Sequence, residues 1–150
     1  MKHGLTLIEI VIAVALIAII TSIGLVALNP GGQLAAARNS QRNFHLNAVM
    51  NAVRQNIADT SGAAFTCANG AIPTTTATKM AVGAGNYDIA PCLVITYLPS
   101  MPFDPSYPGA HYVSNTDYDT GYTIIRNAST GQVTLNAPEA ELNKTISITR

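Results

Sequence analysis

The 150-residue sequence has no tryptophan, only 11% charged residues and only two cysteines. Eight basic side chains balance eight acidic ones, so the chain lacks the basic excess typical of a nucleic-acid-binding face. The two cysteines have no second pair beside them, which argues against a zinc site. No histidine accompanies a nucleophile and an acid in a recognisable motif, and no glycine loop suits a phosphate. We therefore expect no enzymatic activity and no specific nucleic-acid partner.

The sequence does contain an unbroken apolar run from Leu5 to Leu28, whose one charge is Glu9. As a helix this run rises about 36 Å, enough to cross the hydrocarbon core of a membrane. Lys2 and His3 precede it without a balancing acid, which predicts a cytoplasmic N-terminus. An ionised carboxylate in a bilayer core costs roughly 2.5–3.5 kcal/mol, so Glu9 is a candidate functional residue.

Two simpler interpretations of this N-terminus compete with a specialised one. A secretory signal peptide has an apolar region of about 7–15 residues followed by a small-residue cleavage site. Here the run is longer, and its small residue, Gly4, precedes it. A plain membrane anchor leaves Glu9 without a role. We favour a third interpretation, in which the leader Met1–Gly4 is removed and the subunit is stored in the membrane before it polymerises.

The remainder of the chain suits one small domain. Asn29–Gly32 predicts a break in the helix, and an amphipathic second helix is predicted from about Gln33 to about Asp59. Its apolar stripe has helical spacing and comprises Leu46, Val49, Met50, Val53 and Ile57. Residues 62–91 read as loop, and residues 92–98 suit either a helix or a strand. Three strands are predicted near the C-terminus, at Tyr122–Arg126, Gln132–Leu135 and Thr145–Thr149.

Cys67 and Cys92 are an even pair downstream of an export segment. Such a pair predicts one disulfide, which would close a loop of about 26 residues and stabilise the fold by roughly 3–4 kcal/mol. The alternative is two free buried thiols.

The N-terminal residues resemble those of the type IV pilin superfamily, which includes type IV pilins and the pseudopilins of type II secretion. The resemblance rests on a short basic leader, Gly4, Glu9 five residues later and the long apolar helix, and it covers about the first 30 residues. It implies cleavage between Gly4 and Leu5 by a prepilin peptidase and methylation of the new Leu5 amine. It also implies that Glu9 pairs with the Leu5 amine of a neighbouring subunit.

The predicted fold class is accordingly α+β and type IV pilin-like. A long N-terminal helix, with a membrane-spanning half and an amphipathic half, would pack on a small C-terminal antiparallel sheet. The predicted segments are a leader at 1–4, a transmembrane and filament-core helix at 5–28, and an extracytoplasmic globular domain at 29–150. The protein would be a single-pass membrane protein before assembly and part of an extracellular surface filament afterwards.

Asn115, Asp117 and Asp119 place three oxygen-bearing side chains at alternate positions before Gly121. Such spacing suits Ca²⁺, although Arg126 stands where an EF-hand has its glutamate. Major pseudopilins have a similar region after a proline–Asp–Pro segment, and Asp104-Pro105 is similar to it. The alternative is a solvated turn rich in Asn and Asp. Calcium is therefore a candidate ligand, and no other cofactor is expected.

The favoured function is a structural subunit, the major pilin, of a type IV pilus-like surface filament. Its partners would be other copies of itself in a helical homopolymer, the prepilin peptidase, the pilus assembly platform and the membrane. The nearest alternative is a type II secretion pseudopilin. A DNA-binding competence pilin is more distant, because the basic residues of the exterior domain are widely spread in sequence. An enzyme tethered by an uncleaved anchor is the most distant.

Overall fold

The computed structural model describes Gly4, residues 6–60, Gly62 and residues 64–150, with the backbone alone for residues 25–28. Contacts divide the chain into two compact units, Met1–Ala35 and Ala36–Arg150. The elements follow the order α1 (Leu7–Leu28), α2 (Pro30–Asp59), β1 (Thr78–Ala81), α3 (Ala90–Leu93), β2 (His111–Ser114), β3 (Asp117–Arg126), β4 (Val133–Ala137) and β5 (Ile146–Thr149). Long N-terminal helices thus precede an antiparallel sheet, and the predicted α+β, type IV pilin-like fold class is confirmed.

The break between α1 and α2 is a single residue, Asn29, with φ of 40°. Asparagine tolerates this left-handed conformation at the end of a helix. Its Oδ1 also accepts a hydrogen bond of 3.2 Å from the backbone N–H of Gly32, so Asn29 caps the start of α2. Pro30 is then the first helical residue, where its fixed φ and missing N–H are no disadvantage. The prediction of a break through Gly32 was therefore wrong, because the proline begins a helix.

The buried face of α2 is the predicted apolar stripe. Leu46, Val49, Met50 and Val53 have no exposed surface, and Ile57 is half-buried against the same core. The core beneath them includes Tyr122 and Ile124 of β3 and Leu135 of β4. Burying an aliphatic side chain of this size is worth about 1.5–3 kcal/mol, so this face fixes α2 on the sheet.

The sheet is antiparallel, with the order β1-β3-β4-β5, and β2 pairs with the first residues of β3. Strand β3 is the central element, because it pairs with β1, β2 and β4. The β3–β4 hairpin closes through the predicted loop, in which the N–H of Gly131 bonds to the carbonyl of Asn127 at 2.9 Å. The three C-terminal strands are thus confirmed, with β3 extended to Asp117.

Strand β1 and strand β2 were not predicted. Thr78–Ala81 lies within the segment predicted as a loop, and it becomes a strand by pairing with β3, about 40 residues later. The pattern of residues 92–98 suited either a helix or a strand. In the structure, helix α3 ends at Leu93 and a turn follows it. Neither β1 nor β2 has the alternation of apolar and polar residues seen in β5, so the pattern that identifies a strand from sequence was missing.

Candidate processing and assembly site

Helix α1 begins directly beside the predicted functional acid. The Thr6 hydroxyl and carbonyl oxygens both accept hydrogen bonds from the backbone N–H of Glu9, at 3.4 and 3.1 Å respectively. Thr6 therefore caps the helix, and Glu9 stands in the first turn, where its charge interacts favourably with the helix dipole. Its side chain is exposed. A carboxylate is thus presented at the N-terminal end of the predicted membrane segment.

The surface of α1 is apolar and uncovered. Leu7–Gly24 is long and apolar enough to span a membrane, and no residue of that window is buried. Its two hydroxyls are satisfied internally, since Thr21 and Ser22 donate to the carbonyls of Ile17 and Ile19 at 2.8 Å. A helix without unpaired hydroxyls suits a lipid or apolar protein environment. The described surface of α1 therefore suits contact with lipid as well as contact with apolar protein surfaces.

The processing site lies only partly within the described residues. Gly4 is exposed, precedes α1 and has no regular secondary structure. Leu5, the residue predicted to be methylated, lies outside the described residues. The predicted pairing of Glu9 with a neighbouring Leu5 amine therefore stays a prediction.

A buried ion-pair network orders the second unit. Arg42 has no exposed side-chain surface, and its five N–H donors all have acceptors. Two of them reach the Asp104 carboxylate, with Nε to Oδ2 at 2.7 Å and Nη2 to Oδ1 at 3.0 Å. The others reach Asn39 at 2.9 Å, Glu141 at 2.8 Å and Ser106 at 2.6 Å. Arg42 therefore ties α2 to two segments that are far away in sequence.

The same contacts shift the ionisation of their members. Hydrogen bonds from Arg38 and Arg42 lower the pKa of Glu141 to about 2. Burial opposes ionisation of Asp104, yet Arg42 and the N–H groups of Ser106 and Tyr107 hold its pKa below the usual value. The pKa of Arg42 is raised, chiefly by its bonds to Asp104. All three groups are therefore charged at neutral pH.

No structural role was predicted for Arg42, although the residue pattern of α2 contained a signal for one. Arg42 and Asn39 lie four and seven residues before Leu46, which is the spacing of the buried stripe of α2. Both are buried polar residues on the core-facing side of the helix. A polar residue at a core-facing position predicts a buried partner, but the partner itself could not be identified.

The two cysteines form a disulfide. Cys67 and Cys92 have Cα atoms 5.4 Å apart, and both pack against the hydrophobic core. The bridge joins the loop after α2 to α3. It therefore restrains a segment whose only strand is β1, with four residues.

The three residues predicted to bind calcium have separate partners. Asn115 accepts a hydrogen bond from Tyr112 at 2.7 Å, and Asp117 contacts His111 at 3.0 Å. Asp119 pairs with Lys79 and also accepts the N–H of Gly121. Among the described residues, no group of three His, Cys, Asp or Glu side chains is placed to hold a metal ion. Calcium binding here stays a prediction.

Three of the widely spread basic residues come to the same end of the sheet in the tertiary structure. Arg54 and Arg150 line one pocket together with Gly131. The Nη2 atom of Arg126 lies 3.9 Å from the position that a Cβ on Gly131 would take. Spread in sequence therefore does not mean spread in space, and the end of the sheet nearest Gly131 is basic.

The first 25 residues match a known motif. The family model described as "Prokaryotic N-terminal methylation motif" matches residues 1–25, which include Gly4, Leu5 and Glu9. Neither the curated proteins nor the solved structures include a match to this chain. The motif indicates a prepilin of the pilin or pseudopilin kind, a structural subunit rather than an enzyme. Its apolar helix fits membrane anchoring before assembly.

Proposed function

We propose that this chain is the major structural subunit of a type IV pilus-like surface filament. Prepilin peptidase cleaves between Gly4 and Leu5, and the new Leu5 amine is methylated. The observation that carries the proposal is the match of the methylation motif to residues 1–25. The matched region includes the exposed apolar window Leu7–Gly24 of α1.

The exposed side chains of α1 form the contact surface for assembly. From Leu7 to Ile23, where the side chains are described, its larger aliphatic side chains are all at least half exposed, including Leu7 at 81%, Ile20 at 70% and Ile23 at 65%. In the membrane they contact lipid, and in a filament they pack against the same helix of other copies. Because lipid is as apolar as these side chains, their packing alone does not select the filament. Selection needs a polar interaction that only neighbouring copies supply.

Glu9 supplies that interaction. A free α-amine has a pKa near 8, so the amine of mature Leu5 is cationic at neutral pH. Pairing it with the Glu9 carboxylate of another copy offsets the cost, roughly 2.5–3.5 kcal/mol, of a lone acid in an apolar environment. Each incoming subunit is thus held in register by one ion pair inside an apolar bundle.

Mass spectrometry of the N-terminal peptide, in protein sheared from native cells and in the membrane fraction, tests this function. Abundant methylated Leu5 in the sheared fraction is expected. The substitution Glu9→Gln should leave methylated Leu5 in the membrane but remove most of it from the sheared fraction. The matched control is Glu139→Gln, at an exposed acid outside α1. An intact Met1–Gly4 leader in both fractions of the wild type would contradict the proposal.

A pseudopilin of type II secretion is the second candidate. It is favoured by Asp104-Pro105 and by the predicted calcium group that follows it. Methylated Leu5 confined to the membrane fraction would select this candidate. A rise in melting temperature on adding Ca²⁺, absent in Asp117→Asn, would support it further.

A further inference from the structure

The basic end of the second unit contains an apolar pocket with an arginine rim. The pocket has a volume of about 350 Å³ and lies between α2 and the β3–β4 hairpin. Four apolar side chains form its floor: Met50, Val53, Ile57 and Val133. Arg54 and Arg150 are the charged residues of the lining, which also includes Ala58, Gly62 and Gly131 and contains no acidic side chain among the described residues.

Strand pairing places a third arginine, Arg126, at the same end of the sheet, although it lies outside the lining of this pocket. Arg126 is the register partner of Val133, and Arg150 exchanges two backbone hydrogen bonds with Val133, at 2.7 and 3.0 Å. Arg126, Val133 and Arg150 therefore form one row across neighbouring strands, with the buried Val133 in the middle. Among the described residues, no acid lies within 4 Å of Arg54, Arg126 or Arg150.

Asp59 is the acid nearest to this pocket along the chain, and it does not compensate the arginines. It accepts a hydrogen bond from Gln55 at 3.0 Å and does not line the pocket. Two arginines beside an apolar floor, Arg54 and Arg150, therefore fit a partner that carries an apolar side chain and a carboxylate.

The opposite end of β3 carries such a combination. Asp117 begins β3 and Arg126 ends it, so at about 3.3 Å per residue the two lie roughly 30 Å apart. At the β2–β3 turn Val113 is 71% exposed, and the Asp117 side chain is 63% exposed. His111 contacts Oδ1 of Asp117, so Oδ2 remains available to a guanidinium. We name this tip, residues 113–117, the acidic turn.

We infer that the acidic turn of one copy docks into the arginine-rimmed pocket of the next copy, with Val113 on the apolar floor and Asp117 at Arg150. This inference rests on the proposed filament function and names the surfaces that meet in it. Because the two surfaces lie at opposite ends of β3, the contact is head-to-tail and leaves a free end on each copy. Heterologous contacts of this kind generate an open filament when the rotation between successive copies does not close into a ring, and they do not give a two-fold dimer.

Another acid, Glu139, is a poorer occupant. It is exposed and lies on the loop after β4, but the large apolar residue near it, Leu142, is accompanied by exposed Lys144. A lysine would bring a like charge against the arginine rim, which is unfavourable. The acidic turn has no such unpaired base.

A charge-reversal experiment in native cells tests the docking through the yield of sheared filaments. Arg150→Glu should lower the yield at least about tenfold, because it places like charges together. Asp117→Arg should do the same, and the double variant should restore most of the yield. Lys144→Glu is the matched control, since it makes the same change of charge at the opposite end and should stay within about twofold of the wild type.

Cysteine cross-linking provides a second readout that does not depend on filament yield. Val113→Cys combined with Ala58→Cys, at the pocket edge, should give cross-linked ladders of copies in wild-type filaments. Leu142→Cys combined with Ala58→Cys should give none. Restoration of Arg150→Glu by reversal at Glu139 instead of Asp117, or ladders from the Leu142 pair alone, would overturn the docking.

The possible outcomes distinguish a failure of the docking from a failure of the proposed filament function. If wild-type cells release no filaments, both are wrong. If they release filaments whose yield does not respond to Arg150→Glu, only the docking is wrong. A loss of duplex DNA binding by Arg150→Glu filaments at unchanged yield would also overturn it, since the arginines would then serve a different partner.

Discussion

Replacement of Arg42 by methionine is the most direct test of what holds the second unit together. Methionine fills much of the same space but leaves the Asp104 carboxylate, which has no exposed surface, without its cation. The backbone N–H groups of Ser106 and Tyr107 would still bond to that carboxylate, as would the Ser106 hydroxyl at 3.5 Å, but none of these donors carries a positive charge. Breaking a buried ion pair from one side costs roughly 3–5 kcal/mol.

That cost converts into a measurable change in melting temperature. For a unit of this size, 1 kcal/mol shifts the melting temperature by about 4 °C, so Arg42→Met should lower it by about 12–20 °C. The assay is thermal unfolding of the full chain in detergent micelles at pH 7, followed by circular dichroism. Arg38→Met is the matched control, because Arg38 belongs to the same network but its side chain is 34% exposed. Its loss should lower the melting temperature far less than the loss of Arg42 does, because solvent screens a partly exposed ion pair.

A double variant separates the charge from the packing. Asp104→Asn removes the second charge but keeps an oxygen that accepts the two backbone N–H groups. Arg42→Met with Asp104→Asn should therefore be more stable than Arg42→Met alone by at least about 1 kcal/mol, within the range of interaction energies for coupled residues. Additive effects of the two single substitutions, or a drop below about 4 °C for Arg42→Met, would refute the reasoning.

Three further predictions concern pH, the disulfide and a glycine. Because the pKa of Glu141 falls from 4.5 to about 2 in the folded protein, its stabilisation is complete above pH 4.5 and is lost as the pH falls toward 2. The difference in melting temperature between wild type and Glu141→Gln should shrink over that range, and a constant difference would contradict this. Replacing both Cys67 and Cys92 with alanine should cost roughly 3–4 kcal/mol in denaturant unfolding, and reductant should then have no further effect. Gly121 has φ of 70°, and a Cβ there would meet packed side-chain atoms at 3.0–3.1 Å, so Gly121→Ala should cost roughly 1–3 kcal/mol. Gly109→Ala, with φ of 91° and open space around it, should cost less in the same unfolding assay.

The parts of the fold that the sequence predicted are those with a local, periodic pattern. Helix α1 follows from an unbroken apolar run, and the buried face of α2 follows from apolar residues at helical spacing. The hairpin of β3 and β4 follows from alternation on both sides of a glycine-ended loop. Strands β1 and β2 lack such a pattern, and their structure depends on β3, which pairs with both of them.

The candidate site also contains residues that the sequence identified and contacts that it could not predict. The leader, Gly4 and Glu9 are recognisable from sequence, because their chemistry depends on spacing along one chain. The partners of the acids in the predicted calcium group, Lys79 and His111, could not be predicted. Each pairing depends on strand register, which a short pattern does not fix.

The sequence by itself thus determined the N-terminal helix, its single acid and the motif around them. The reason is that hydrophobic length and residue spacing act within one segment. Only the tertiary structure decided that Arg42 would be buried against Asp104, 62 residues away, because the partner of a buried charge depends on how the chain folds back. It alone also brought Arg54, Arg126 and Arg150 to one end of the sheet, since strand pairing and helix packing bring distant residues together.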